Sequence, residues 1–295
     1  MKTILVPTDF SDHALFALKV AASVAKKINA MINIVHVYNL PSSGFEQNEY
    51  SIKFYSEIYT RAEGQIAKLS LLDFLEGIDV KTHIIKDRLM WEIVKDERFK
   101  DSDLIVMGSH GESEFSKVFI GSNTEKFVRL ADSPVLTIKN EIEDFVVNKM
   151  VFTSNFFEES YAVFEKIKFF VDLYNVHIYL LKVITPKEFE PTPVSQKLMD
   201  SFIKKFKIKN CSVNIYNSQN IESGIIEFSE EVKADLIAIE THGRTGFAHL
   251  IHGSLAEDIV KHEAKPVLSI KIPALSKSAL RFMGYRNDYD NWGNE

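Results

Sequence analysis

One segment, from Asp103 to Lys139, predicts most of the fold: DLIVMGSHGESEFSKVFIGSNTEKFVRLADSPVLTIK. Its apolar run from Leu104 to Met107 has the length and composition of a buried strand. A loop with two glycines follows, and a helix is predicted to begin after Gly121. Pro134 to Ile138 reads as a final strand. Short apolar strands that alternate with helices are typical of an α/β protein whose parallel sheet is covered on both faces.

The segment occurs a second time, from Asp235 to Lys271, as DLIAIETHGRTGFAHLIHGSLAEDIVKHEAKPVLSIK. The two copies align without a gap. More loosely, ILVPTDFS at 4–11 aligns with MVFTSNFF at 150–157. A single repeat of half the chain predicts two similar tandem domains. We expect a first domain at 1–140, a second at 149–272, and a polar C-terminal tail at 273–295.

Other elements of the first copy follow from shorter signals. Ile32 to Val37 is an apolar run of strand length, and Val80 to Ile85 alternates between apolar and polar residues. Ser11 is placed to act as the N-cap of a helix whose apolar residues lie on one face. Two further helices are predicted, at Tyr50 to Leu75 and at Leu89 to Phe99.

Composition excludes several classes of protein. Hydrophobic residues make up 45% of the 295 residues, with 22 Phe, so the chain has enough core material to exclude general disorder. Cys211 is the only cysteine, which excludes a disulfide framework and fits a reducing compartment. The net charge of −6 gives no global attraction to nucleic acid or to an anionic membrane. The N-terminal apolar run stops at Pro7, too early for a signal peptide, and no run is long enough to span a bilayer, so we expect a cytoplasmic protein.

The glycine-bearing loop carries the strongest chemical signal. Gly108-Ser109-His110-Gly111 follows the buried strand, and nine residues later Gly121 and Ser122 open a helix. Glycines allow backbone N–H groups to approach a ligand, and a helix N-terminus attracts phosphate. The hydroxyls of Ser122 and Thr124 and the amide of Asn123 would add donors. The alternative is an ordinary strand–loop–helix connection with a serine N-cap. No GxxxxGK[ST], GxGxxG or GxSxG occurs, which argues against P-loop, dinucleotide-binding and α/β-hydrolase sites.

This pattern, G-x2-G-x9-G-S after a buried strand, resembles that of the universal stress protein family, as does a first strand that ends in Pro7-Thr8-Asp9. The resemblance covers nearly the whole chain as two tandem domains. It implies two doubly wound α/β domains, each with a five-stranded parallel sheet in the order 3-2-1-4-5 and helices on both faces. In such sheets the ligand crevice lies where the strand order reverses, at the carboxyl ends of strands 1 and 4.

Some members of this family bind ATP, and the resemblance implies roles for matching residues. Asp9 would accept hydrogen bonds from adenine or ribose, and Val37 would pack on the adenine. Arg88, after the third strand, could reach a phosphate. The implied site consists of Pro7, Thr8, Asp9, Val37, Met107, Gly108, His110, Gly111, Gly121, Ser122 and Asn123. Two alternatives stay open: Asp9 simply starts the following helix, and His110 is a loop histidine without a ligand.

The second copy departs from this pattern. Asn155 stands in place of Asp9, and Glu240 in place of Gly108. A glutamate brings bulk and negative charge to where the backbone should approach a nucleotide, so we expect a degenerate site. We also expect Gly108→Glu to leave the fold unchanged, because Glu240 is tolerated. The first copy also has an unfavourable feature for phosphate binding, since its loop contains two acidic residues, Glu112 and Glu114.

These observations favour a protein of stress response or signalling that binds one adenine nucleotide per chain: ATP, ADP or AMP, with Mg²⁺ as an optional companion. The alternatives are a scaffold that binds no nucleotide and a slow ATPase, for which no arginine finger or catalytic residue is evident. We expect no metal site and no binding to nucleic acid or membrane. The nearly identical last strands, Pro134 to Ile138 and Pro266 to Ile270, should pair edge to edge within the chain, and a homodimer is a further expectation.

Overall fold

The structure is a computed structural model of the 295-residue chain, and it describes residues 2–38, 49–86, 88–109, 121–241 and 255–272. Within these ranges ten strands form one sheet. They are β1 (Thr3–Pro7), β2 (Met31–Tyr38), β3 (Val80–Lys86), β4 (Leu104–Gly108), β5 (Val135–Ile138), β6 (Lys149–Thr153), β7 (His177–Ile184), β8 (Cys211–Asn217), β9 (Leu236–Thr241) and β10 (Val267–Lys271).

The strand order confirms the predicted architecture. The sheet runs β3-β2-β1-β4-β5-β10-β9-β6-β7-β8, which is the order 3-2-1-4-5 followed by the same order reversed. Every pair within each half is parallel. The two halves meet where β5 and β10 pair antiparallel, with Leu136 opposite Leu268. The predicted edge-to-edge pairing of the last strands within one chain is therefore confirmed.

Seven helices cover the two faces in the described ranges. They are α1 (Asp12–Ile28), α2 (Glu49–Ser70), α3 (Ser122–Leu130), α4 (Ser160–Tyr174), α5 (Thr192–Phe206), α6 (Ile221–Glu231) and α7 (Leu255–His262). Ser11 is the N-cap of α1, as its position predicted, and its hydroxyl accepts a hydrogen bond from the Ala14 N–H at 3.3 Å. None of the described helices is long and apolar enough to cross a membrane.

Successive side chains of the strands belong alternately to two apolar clusters, one on each face of the sheet. In β1, Ile4 belongs to the face covered by α1, α2, α4 and α5, and Leu5 belongs to the face covered by α3, α6 and α7. Both clusters contain residues from both halves of the chain. The connecting segment contributes as well, because Phe145 and Val147 are buried against the first of these faces.

Two predicted helices differ from the structure. The predicted helix Tyr50 to Leu75 ends earlier, with α2 at Ser70, and a separate 3₁₀ turn covers Asp73–Leu75. The segment predicted as a helix from Leu89 to Phe99 is a 3₁₀ turn over Met90–Lys95. It stops at Asp96, whose carboxylate accepts hydrogen bonds from the backbone N–H of Arg98 at 3.1 Å and from its guanidinium at 2.9 and 2.8 Å. A side chain that bonds nearby groups in this way competes with helix continuation.

Candidate functional site

The candidate site lies where the strand order reverses in the first half of the sheet. There β1 and β4 are neighbours, with Ile4 opposite Leu104 and Leu5 opposite Ile105. The same register, continued past the strand ends, places Asp9 level with Ser109. Helix α1 begins on one face of the sheet after β1, and α3 packs on the other face. The carboxyl edge of β1 and β4 thus lies between the N-termini of two helices, the usual position of a ligand crevice in this architecture.

Asp9 has one oxygen committed to the protein. Its Oδ1 accepts hydrogen bonds from the Ser11 N–H at 3.1 Å and the Ser11 hydroxyl at 2.6 Å, which organises the start of α1. The alternative role predicted from the sequence is therefore real. Its Oδ2 has no hydrogen-bond partner among the described residues, and the side chain is partly exposed. The carboxylate can shape the helix with one oxygen and accept from a ligand with the other.

Pro7 and Thr8 support this carboxylate rather than face a ligand. Pro7 is the last residue of β1 and pairs with Val35. Thr8 is buried: its N–H donates to the Val35 carbonyl at 2.9 Å, and its hydroxyl oxygen accepts from the Phe10 N–H at 3.0 Å. The Thr8 carbonyl accepts from Nδ1 of His36 at 2.9 Å. These bonds fix the turn that carries Asp9.

Val37 and Met107 lie on the same face of the sheet as α3. Met107 is buried in the apolar cluster of that face, and Val37 is half-buried at its margin. Both stand near the carboxyl ends of their strands. The structure thus places an apolar floor beside the N-terminus of α3, in an arrangement that suits a flat apolar group.

The N-terminus of α3 is uncapped by any side chain. Its N-cap is Gly121, which offers none, and the N–H groups of Ser122 and Asn123 have no partner among the described residues. Both of these residues are exposed. Amides at a helix start that have no partner among the described residues, together with the helix dipole, form a favourable position for an anion.

Gly108 is required for a different reason from the predicted one. A Cβ at this position would lie 2.8 Å from the backbone carbon of His13 and 2.9 Å from its oxygen. The glycine therefore allows the first turn of α1 to pack against the end of β4, and the tight contact is with the protein itself. The expectation that Gly108→Glu leaves the fold unchanged is wrong. In the second half Glu240 occupies the position equivalent to Gly108, and α4 begins at Ser160, two residues after Glu158, the equivalent of the first residue of α1.

Thr124 is also placed differently from the sequence prediction. Its side chain is only 3% exposed, and its hydroxyl donates to the Gly108 carbonyl at 2.9 Å. It is not a donor to a phosphate. Arg88, which the sequence suggests could reach a phosphate, pairs through its guanidinium with Asp96 at 3.0 Å. Hydrogen bonds from Arg98 hold the pKa of Asp96 well below its usual value, so that carboxylate remains charged.

Four residues of interest lie outside the described ranges: His110 and Gly111 of the predicted site, and the acidic pair Glu112 and Glu114. Among the described residues no group of three or more His, Cys, Asp or Glu side chains could hold a metal ion.

The equivalent edge in the second half is filled by its own side chains. Glu240 extends across the strand ends, and its carboxylate accepts from the Asn155 N–H at 3.4 Å. Lys182, only 7% exposed, forms an ion pair with Glu190 and donates to the Asn155 carbonyl at 3.5 Å. Ser195 donates a further hydrogen bond to Glu190. This cluster of four polar and charged residues lies around Asn155, which stands at the position equivalent to Asp9.

Helix α6 packs closely against β7 on the other face of the second half. Gly224 of α6 packs so tightly that an added Cβ would lie 2.6 Å from Cγ1 of Val183, the equivalent of Val37. Lys182 and Glu190 are not among the residues predicted from the sequence. A signal was present, since a lysine stands in an otherwise apolar strand, HIYLLKVI, where the first copy has His36.

Comparison with known proteins gives a consistent result. The model of the universal stress protein family matches residues 1–139 and again 148–271. Universal stress protein MJ0531 of Methanocaldococcus jannaschii is 32% identical over 140 residues, which cover 47% of this chain and 82% of that protein. Universal stress protein Slr1230 of Synechocystis is 23% identical over 299 residues, covering 92% of this chain and 100% of that one. A crystal structure of a universal stress protein from Archaeoglobus fulgidus superimposes with a TM-score of 0.70 at 22% identity, covering 92% of this chain and 96% of the other.

Proposed function

The chain belongs to the universal stress protein family, and we propose that it binds one adenine nucleotide, in the crevice of its N-terminal half, as a component of stress response or signalling. ATP is the proposed ligand, with ADP and AMP as smaller members of the same class. Asp9 receives the nucleoside, Val37 and Met107 pack beside the base, and the start of α3 receives phosphate oxygens.

The observation that carries this proposal is that one edge of the sheet holds both a hydrogen-bond acceptor and hydrogen-bond donors that lack a partner in the described chain. Oδ2 of Asp9 is an acceptor without a partner in the described chain, and the first amides of α3 are donors without one. An adenine nucleotide carries donors at its base and sugar and acceptors at its phosphates, so one molecule satisfies both ends.

The contents of the second crevice support a single site. The ion pair of Lys182 with Glu190 and the carboxylate of Glu240 stand where a second nucleotide would lie. Entry of a nucleotide would require breaking that largely buried pair and placing phosphates near a carboxylate, and both cost free energy. We therefore propose a binding half and a structural half.

The proposal predicts that Asp9→Asn weakens ATP binding by about 1–3 kcal/mol, the range for one charge-assisted hydrogen bond. The variant should fold normally, because an amide oxygen can still accept from Ser11. The second half already shows this, since the Phe157 N–H donates to Oδ1 of Asn155 at 3.0 Å. Isothermal titration calorimetry measures the affinity, and circular dichroism checks the fold.

Asp12→Asn is the matched control, because it removes the same charge from an exposed position in the first turn of α1. We expect it to bind ATP nearly as the wild type does. Equal ATP affinity in the wild type and Asp9→Asn would rule out the assigned role of Asp9. Equal losses in the two variants would mean that overall charge, and not contact, sets the affinity.

One observation favours a second function, a scaffold without nucleotide. Arg88, two residues after the end of β3, pairs with Asp96 at 3.0 Å, so its guanidinium is directed at that carboxylate and not at a triphosphate. A chain that fails to bind ATP, ADP and AMP at millimolar concentration would support the scaffold and exclude the proposed site.

A further inference from the structure

Two hydrogen bonds tie the start of α3 to the end of β4. The N–H of Gly121 donates to the Ser109 carbonyl at 2.9 Å, and the hydroxyl of Thr124 donates to the Gly108 carbonyl at 2.9 Å. The second bond joins residues sixteen positions apart in the chain. It comes from a side chain, so it depends on the residue type at 124, whereas the first is available to any residue except proline.

Thr124 lies within the first turn of α3, whose first amides have no partner among the described residues. Its side chain is buried beneath that turn and does not touch the position where a ligand would enter. The hydroxyl therefore fixes the height and direction of the N–H groups of Ser122 and Asn123 relative to the strand end. Such preorganisation increases affinity, because the amides need not be ordered when the ligand binds.

The second half of the chain lacks this tie. Ala256 stands at the equivalent position in α7 and has no hydroxyl to donate. This difference between threonine and alanine fits the proposal that the second half binds no nucleotide, because its helix start then needs no fixed orientation toward a ligand.

We propose that Thr124 is a positioning residue for phosphate: it holds α3 against β4 so that the first amides of the helix point at the phosphates of the bound nucleotide. This inference rests on the proposed function. A positioning role for Thr124 and a purely structural role predict different results for two ligands. Affinity for a ligand with phosphates should depend on the Thr124 hydroxyl, and affinity for the nucleoside alone should not.

The test compares three variants of the full chain. Thr124→Val keeps the shape and removes the hydroxyl, and Thr124→Ser restores it. Thr137→Val is the matched control, because Thr137 is equally buried and its hydroxyl also donates to a carbonyl, that of Val267 at 3.2 Å, at the junction of the two halves and not at the start of α3. For each chain, the affinities for ATP and adenosine are measured by calorimetry or by competition against a fluorescent ATP analogue.

We expect Thr124→Val to bind ATP about three- to tenfold more weakly, the range for one hydrogen bond. Adenosine affinity should be unchanged, Thr124→Ser should recover most of the ATP affinity, and Thr137→Val should bind both ligands as the wild type does. Unchanged ATP affinity in Thr124→Val, or an equal loss for ATP and adenosine, would overturn the inference while leaving the proposed function standing. A wild-type chain that binds neither ligand would remove the proposed function, and the inference with it.

Discussion

Replacing Gly108 with alanine should destabilise the whole chain, although the change adds one methyl group. The new Cβ would lie 2.8 Å from the carbonyl carbon of His13 and 2.9 Å from both its Cβ and its oxygen. Two of these three atoms belong to the backbone of α1, so rotation of a side chain cannot relieve the contact. Either the first turn of α1 or the end of β4 must move.

Overpacking of this kind costs about 1–3 kcal/mol, and a backbone neighbour places Gly108→Ala in the upper half of that range. Movement of α1 would also disturb Ser11 and hence the turn that holds Asp9. We therefore expect a loss of about 2 kcal/mol in the free energy of unfolding, with a fall of roughly 4 °C in melting temperature.

The matched control is Gly64→Ala. Gly64 lies inside α2, is exposed, and would meet nothing within 4 Å if it carried a Cβ. The same substitution should there stabilise the chain by about 0.5–1 kcal/mol, because glycine in a helix interior loses more conformational freedom on folding than alanine. Urea denaturation of the wild type and both variants, followed by circular dichroism, measures the two effects.

Opposite signs for the two variants are the expected result. If Gly108→Ala were as stable as the wild type, the end of β4 would be free to accept a side chain. The glycine at 108 would then have to be explained by the ligand and not by the packing of α1.

Two further predictions concern buried titratable groups. Burial acts to raise the pKa of Glu190, but hydrogen bonds from Lys182 and Ser195 outweigh it and hold that pKa below its usual value. Glu190→Gln should therefore destabilise the chain by about 1–3 kcal/mol at neutral pH. The difference in stability between the variant and the wild type should fade as the pH drops below about 4.5, where the carboxyl of the unfolded chain protonates. A difference that persists undiminished at about pH 3 would contradict the ion pair. Burial raises the pKa of Tyr174 to about 12, and its hydroxyl has no partner among the described residues. Absorbance titration should show a tyrosine that ionises near pH 12 and that disappears in Tyr174→Phe. That variant should be at least as stable as the wild type, and a clear loss of stability would reveal a hydrogen bond to the hydroxyl.

The fold was predictable because its signals are local and repeated. Four-residue apolar runs such as Leu104 to Met107 identify buried strands, and the second copy from Asp235 to Lys271 implies a second domain of the same kind. The edge-to-edge pairing of β5 with β10 followed from the likeness of PVLTIK and PVLSIK. The exact ends of the helices were harder, since a single competing side chain such as Asp96 decides whether a turn continues.

The sequence predicted where the candidate site lies in the sheet, but it did not predict the hydrogen bonds that each residue makes. The motif indicates which loops meet, and the register of β1 with β4 is what brings Asp9 level with Ser109. The hydrogen bonds of the folded chain decide the role of each side chain. A threonine hydroxyl at a helix start looks like a ligand donor in sequence, yet the hydroxyl of Thr124 is buried and directed at the Gly108 carbonyl. Gly108 likewise reads as a ligand contact, and only the nearness of His13 reveals its packing role.

The number of ATP molecules bound per chain tests the central claim most directly. The proposed division into a binding half and a self-filled half predicts one ATP per chain by isothermal titration calorimetry, with affinity lowered by Asp9→Asn. A stoichiometry of two would contradict the closure of the second crevice by Lys182, Glu190 and Glu240. A stoichiometry of zero would contradict the assignment of the first crevice to a nucleotide.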